Sequence, residues 1–183
     1  MNISWVLADS VLLDPTQDID ALKRVGAFWG SWRTWRACQT DNVICHDQVK
    51  AAELLKRNFQ TYCNFYIPNS VYTSLDRPDG VKLYAGEFVH DVDQQEEIVA
   101  LHLAATTSDI VLLLGFDLTK LDPNPDKLKA NRAQHQRNLI RQAFLEYATT
   151  QWVVVDHSEE LDPNLTNLDN LVSDTMPTIL SMS

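Results

Sequence analysis

The sequence predicts a single three-layer α/β domain spanning residues 1–183, built on a doubly wound, mainly parallel sheet. Three observations lead there. Helix-patterned and strand-patterned segments alternate along the chain, which is the order that places parallel strands in one sheet with helices on its faces. Ile110 to Leu114 is five aliphatic residues without a polar break, the pattern of a strand covered on both faces. A length of 183 residues with 45% hydrophobic content suits one domain with a sizeable core, and no internal repeat, low-complexity tract or linker divides it.

Taken in order, Ile3 to Ala8 reads as a short buried strand. Asp14-Pro15-Thr16 then carries the proline and capping residues of a helix start. The first helix covers about Gln17 to Val25 with Ile19 and Leu22 inward, and Gly26 is placed to stop it. Ala27 to Trp29 forms a lesser strand, and Gly30-Ser31 a turn whose serine caps a helix of Trp32 to Gln39. Val43-Ile44-Cys45 is a strand ending at His46-Asp47, and Asp47 caps the helix Gln48 to Phe59, with Val49, Ala52 and Leu55 on its inner side. Asn64 to Ile67 is a strand closed by Pro68, and Val71 to Leu75 is either a short helix or an irregular segment. Arg77-Pro78-Asp79-Gly80 is a turn leading to a strand over 81–85.

Asp93 with Glu96 three residues on has the form of a capping box, opening an amphipathic helix with Ile98, Leu101 and Ala105 in its stripe. The strand Ile110 to Leu114 follows and ends at Gly115-Phe116-Asp117. Asp122-Pro123-Asn124-Pro125 cannot be helical, and Asp126 starts a long polar helix to about Thr149, with Leu139, Ala143 and Phe144 or Tyr147 inward. Trp152 to Val155 is the last strand, ending at Asp156-His157-Ser158 before a polar, turn-rich tail. The principal strands are therefore 3–8, 43–46, 110–115 and 152–155, with lesser ones at 27–29, 64–67 and 81–85.

Composition excludes several functions. Fifteen Lys and Arg against twenty-five Asp and Glu give a net charge of −10, which repels nucleic-acid backbones and acidic membrane surfaces alike. Cys38, Cys45 and Cys63 are odd in number and lack the spacing of a zinc site or disulfide framework, which fits a reducing cytoplasm. The first residues lack the basic region of a signal peptide, and no apolar run approaches the roughly 20 residues that cross a bilayer.

Ligands of open parallel sheets sit outside the carboxyl ends of the strands, so the residues that follow each strand are the candidates. Asp9, Asp47, Asp117 and Asp156 converge at that edge with His46 and His157. Asp117 is a candidate catalytic group, and His157 beside Asp156 a candidate acid or base oriented by a carboxylate. An Asp in this place also simply caps the next helix, and that reading comes first for Asp47. In Trp29-Gly30-Ser31-Trp32-Arg33-Thr34-Trp35-Arg36, the arginines at a helix start suit a phosphate or carboxylate, or pair with the chain's own acids, while Trp32 and Trp35 read as core. His90-Asp91-Val92-Asp93 has the look of a metal-binding Asp-x-Asp, but the capping box accounts for Asp93 without an ion. His102 and His135 have no partner at ligand spacing.

Ala100-Leu101-His102-Leu103-Ala104-Ala105 followed by the strand and Gly115-Phe116-Asp117 resembles the Rossmann-like transferase group of bacterial sialyltransferases, motility-associated flagellin-modifying proteins and hydroxymethylpterin pyrophosphokinase-like enzymes. That group has an alanine-rich helix before a strand written Ile-Tyr-Leu-x-Gly-x-Asp, and Gly115 and Asp117 match. The first half follows the family's order of elements. The resemblance implies a Rossmann-like fold and a nucleotide or nucleotide sugar as partner, with glycosyl or phosphoryl transfer as the activity. With the residues of the helix start added, the ligand is expected among Asp9, Ser10, Gly30, Ser31, Arg33, Arg36 and Gly115; no metal ligand is assigned, and the cofactor is left open. The chain departs from the group where Asp9-Ser10-Val11-Leu12 stands in place of Gly-x-Gly-Pro-Ser. A carboxylate there repels phosphate, and its Cβ blocks close backbone approach. The chain also resembles uncharacterised proteins of marine cyanobacterial phages. That likeness frames the alternative expectation, a non-catalytic binding or virion-assembly protein, in the host cytoplasm or virion and possible as a homo-oligomer, that retains the fold without the phosphate loop.

Overall fold

A computed structural model describes residues 1–9, 19–84, 96–116, 118, 127–155 and 171–174. Eight strands form one sheet: β1 (Ile3–Leu7), β2 (Ala27–Ser31), β3 (Asn42–Ile44), β4 (Asn64–Pro68), β5 (Lys82–Tyr84), β6 (Ile110–Leu114), β7 (Gln151–Val155) and β8 (Leu171–Asp174). Their order is β5-β4-β3-β2-β1-β6-β7-β8, and every pairing is parallel. The helices are α1 (Ile19–Val25), α2 (Trp32–Cys38), α3 (Gln48–Lys56), α4 (Asn69–Ser74), α5 (Glu96–Ala105) and α6 (Lys127–Glu146). The chain winds outward from β1 to β5, returns through α5 to the other side of β1, and continues to β8. This is the doubly wound, Rossmann-like α/β architecture.

Strand alternation sorts the core into two layers. On one face Trp5, Leu7, Phe28, Leu112 and Leu114 pack with Leu22 of α1 and Cys38 of α2, while Val43, Phe65 and Ile67 meet Ala51 and Leu54 of α3 and Val71 of α4. On the other, Val6, Trp29, Ile44, Val111, Leu113 and Trp152 pack against α5 and against Ile140, Ala143 and Phe144 of α6. β6 sits between β1 and β7 with all five residues buried, as its unbroken apolar run requires.

Four details differ from the sequence expectation. β2 is interior, between β1 and β3, because Gly30 and Ser31 extend it to the level of Ile44. Leu171–Asp174 adds an edge strand beside β7 within the segment read as a tail. The inner side of α3 is Ala51 and Leu54, whereas Val49 is 80% exposed, because Asp47 starts the helix with its first turn over the sheet edge. α5 is not amphipathic: nine of its ten residues are buried, since it is sandwiched between the sheet and α6.

Local rules account for the elements that reach the site. Ser31 Oγ accepts from the amides of Arg33 and Thr34 and so caps α2, and Asp47 accepts from the Lys50 amide at 2.9 Å and caps α3. Gly30 is a packing glycine, because a Cβ there would run into the Thr34 side chain. The α5 capping-box residue Asp93 lies outside the described residues. Among the described residues no helix is long and apolar enough to cross a membrane.

Candidate functional site

The direction of winding reverses between β1 and β6, so the crevice expected of this topology opens at their carboxyl ends. Leu7 is in register with Leu114, and the Ala8 amide donates to the Leu114 carbonyl at 3.0 Å, so Asp9 and Gly115 leave the sheet side by side. Gly115 has φ +80°, a left-handed conformation that suits glycine and turns the chain away from β6.

On the β1–β3 side of this point lies a connected set of charged side chains. The Asp9 carboxylate accepts from the Ser31 hydroxyl and, at 3.1 Å, from Arg33 Nη1. The same Arg33 nitrogen donates to Glu96 Oε2 at 3.1 Å. The other Glu96 oxygen accepts the His46 amide at 3.0 Å, with the His46 imidazole Nδ1 3.9 Å away. Glu97, one residue on, accepts from the Asp9 amide and from the Gln136 side chain of α6. Ends of three adjacent strands and the starts of two helices are thereby tied through two glutamates.

Burial sets the chemistry. The Glu96 side chain is 1% exposed, and loss of hydration raises its pKa to about 7 even though the His46 amide and Arg33 favour the ionised form. The α5 amino terminus, where orphan amides and the helix dipole favour negative charge, makes this position tolerable for a carboxyl group. Cys45, beside it, is held as a neutral thiol by burial and by the Glu96 charge, which removes it as a nucleophile at neutral pH. Burial and Arg33 lower the pKa of His46, leaving an uncharged imidazole. The site therefore holds a buried carboxyl group whose pKa is raised to about 7, next to a guanidinium whose side chain is 54% exposed.

The residues singled out in the sequence distribute unevenly. Asp9, Ser31 and Arg33 come together as described. Arg36 is exposed on α2, its guanidinium 5.5 Å from the Trp32 ring, which Arg33 and Lys50 also approach at 4.7 and 4.5 Å. Trp32 and Trp35 are half-buried against the α3 side of the core rather than fully inside it. Gly30 is on β2 beneath Thr34. Ser10, Asp117, Asp156 and His157 lie outside the described residues, as does the His90-Asp91-Val92-Asp93 segment. His102 is buried on α5 against the Tyr147 ring, 3.8 Å from Glu146, and His135 is exposed on α6. Among the described residues no group of His, Cys, Asp and Glu could hold a metal ion.

Glu96 and Glu97, the centre of the cluster, were legible only as helix-start acids. The available signal was Glu96-Glu97-Ile98-Val99-Ala100-Leu101-His102-Leu103-Ala104-Ala105 itself: a helix apolar on every side is buried on every side, and that includes its first turn. Compared with known proteins, the chain matches no family model, and neither the curated proteins nor the solved structures give a match.

Proposed function

We propose that the chain is a Rossmann-like ligand-binding protein whose ligand, a nucleoside, nucleotide or nucleotide sugar, sits at the carboxyl edge of β1–β3, with Glu96 as the group that exchanges a proton with it. One observation carries this reading. A carboxyl group with a pKa of about 7 is held by Arg33 and a strand-end amide, beside the crevice at which this topology binds ligands. Glycosyl or phosphoryl transfer is the matching reaction class, because a buried carboxyl near neutrality can accept the proton of an attacking hydroxyl or return one to a leaving oxygen.

The end of β1 modifies the way such a ligand is held. The Asp9 amide, which would face a phosphate, is occupied by Glu97, and the Asp9 carboxylate lies where an anion would approach. Phosphate is therefore excluded from that position. The ligand's polyhydroxyl part meets the carboxylates, and its charged end lies toward the exposed side of Arg33.

The same closure supports a second reading, a non-catalytic binding protein in which Glu97 takes the place of the phosphate. Thermal-shift and calorimetric titrations with cytidine, uridine and adenosine nucleosides, nucleotides and nucleotide sugars separate the two. Stabilisation by about 2.7 kcal/mol is expected at one hundred times the dissociation constant. Lack of any shift at millimolar concentration removes the nucleotide reading. Binding that is unchanged in Glu96→Gln leaves the protein a binder without this proton-exchange chemistry.

A further inference from the structure

Positive charge gathers on one indole of this acidic chain. Three cations converge on Trp32, the first residue of α2: Lys50 Nζ lies 4.5 Å, the Arg33 guanidinium 4.7 Å and the Arg36 guanidinium 5.5 Å from the ring centroid. A tryptophan ring attracts cations, and packing against the α3 side of the core holds this one half-buried. Its own N–H is buried without a hydrogen-bond partner among the described residues, so packing and the cations, and not its polar group, fix the ring. Three like charges over one ring also repel one another, and the nearby carboxylates meet them from the sides. Glu53 takes Lys50 at 2.8 Å and Arg57 at 2.9 Å on α3, while Asp9 and Glu96 both take the same nitrogen of Arg33, Nη1. The outer side of the group is open: the Arg33 side chain is 54% exposed, and Arg36 is exposed as well.

What fits there follows from the donors. Two guanidiniums and an ammonium present forked and single N–H donors within a small area. A lone carboxylate is matched by one guanidinium, whereas an anion with several oxygens and more than one charge uses all three. An extended polyanion would run off the group onto Asp9, Asp47 and Glu53 in a chain of net charge −10. We propose that Arg33, Arg36 and Lys50, set on Trp32, form a binding site on the α2–α3 surface for the short phosphate group, such as a diphosphate, of a small molecule. The side chains do the binding, since Ser31 Oγ already takes the Arg33 and Thr34 amides. This rests on the nucleotide reading and deepens it. Arg33 belongs both to this group and to the cluster with Asp9 and Glu96, so the phosphates move from the end of β1, where Glu97 holds the Asp9 amide, outward across α2 to Arg36 and Lys50.

Calorimetric titration of the full chain at low salt tests the site, with inorganic pyrophosphate as one probe and uridine, cytidine and adenosine against their diphosphates as the other. The proteins are wild type, Arg36→Ala, Lys50→Ala and Lys82→Ala, each checked for its fold by thermal melting. Lys82 also lies over a ring, 5.5 Å from that of Tyr66, but on β5, and serves as the control for loss of one surface charge. The expected result is about tenfold weaker binding of pyrophosphate and of the diphosphates in Arg36→Ala and in Lys50→Ala, the size of one charge-assisted hydrogen bond, and unchanged binding in Lys82→Ala. If pyrophosphate distinguishes the proteins in this way but no nucleoside or nucleotide binds, the nucleotide reading fails and the phosphate site stands. If the diphosphates bind no better than their nucleosides, or bind wild type and both variants alike, the phosphate site is overturned and the nucleotide reading stands without it. An equal loss in Lys82→Ala, or no binding of pyrophosphate or any diphosphate at millimolar concentration, also overturns the site.

Discussion

Helices α3 and α5 both start at the carboxyl edge of the sheet, on opposite faces of β3, and both start with acidic residues, yet the acids do different work. Asp47 is exposed and accepts the amide of its own helix three residues on. Glu96 and Glu97 are buried and reach away from their helix, to the amides of His46 and Asp9 on other strands and to Arg33 and Gln136. The difference lies in the helices behind them. α3 keeps Gln48 and Val49 exposed, so its first turn is hydrated, whereas α5 is enclosed by the sheet and α6 and carries its first turn into the interior. A carboxylate in water is content as a cap; one without water must find donors wherever the fold offers them. The same residue class at equivalent positions is thus a cap in one helix and the centre of a site in the other.

The sharpest way to break the comparison is to remove both acids in turn. Glu96→Ala should destabilise the fold by roughly 2–4 kcal/mol, because it opens a cavity, orphans the His46 amide and deprives Arg33 of a partner. Urea denaturation at neutral pH measures it, and a loss below that of Asp47→Ala would show Glu96 to be an ordinary helix-start residue.

A pH series sharpens the point. The Glu96 pKa is raised from 4.5 to about 7 in the folded state, so the native protein binds this proton more tightly than the unfolded chain does. The stabilisation that results is complete below about 4.5 and is lost as pH rises toward 7, by about 3 kcal/mol in all. His46 and His102, whose pKa values burial lowers, work in the opposite sense and lose stability as pH falls below 6.5. The informative quantity is therefore the difference between wild type and Glu96→Gln. Relative to the variant, the wild type should lose stability across that window, and parallel curves would place Glu96 in contact with water.

Asp47→Ala should cost about 1 kcal/mol, as expected for a solvated cap. Arg36→Ala should change stability by less than about 0.5 kcal/mol, since its guanidinium is exposed and rests on Trp32. A loss of 2 kcal/mol or more in Arg36→Ala would mean that the α2–α3 surface, and not the α5 start, holds this edge together.

What the amino-acid sequence determined by itself was the kind and order of most elements, because those depend on local properties. Ile110 to Leu114 needs no neighbour to declare itself a two-sided strand, and Ser31 and Asp47 cap the helices that begin immediately after them. β8 was hidden because a four-residue edge strand of Leu, Val, Ser and Asp has too little pattern to stand out from a tail. The site was only half legible. Asp9 was found by the rule that strand ends carry function, and Ser31 and Arg33 as the cap and the cation of a helix start, whereas Glu96, Glu97 and Gln136 come to the same edge from α5 and α6. Their roles depend on burial and on partners many residues away: Glu96 meets Arg33 across 63 positions, and Glu97 meets Asp9 across 88. A side chain's hydration, and with it the charge it carries, is decided by what the rest of the chain packs around it, and so only the tertiary structure distinguishes a buried carboxyl with a raised pKa from a helix cap.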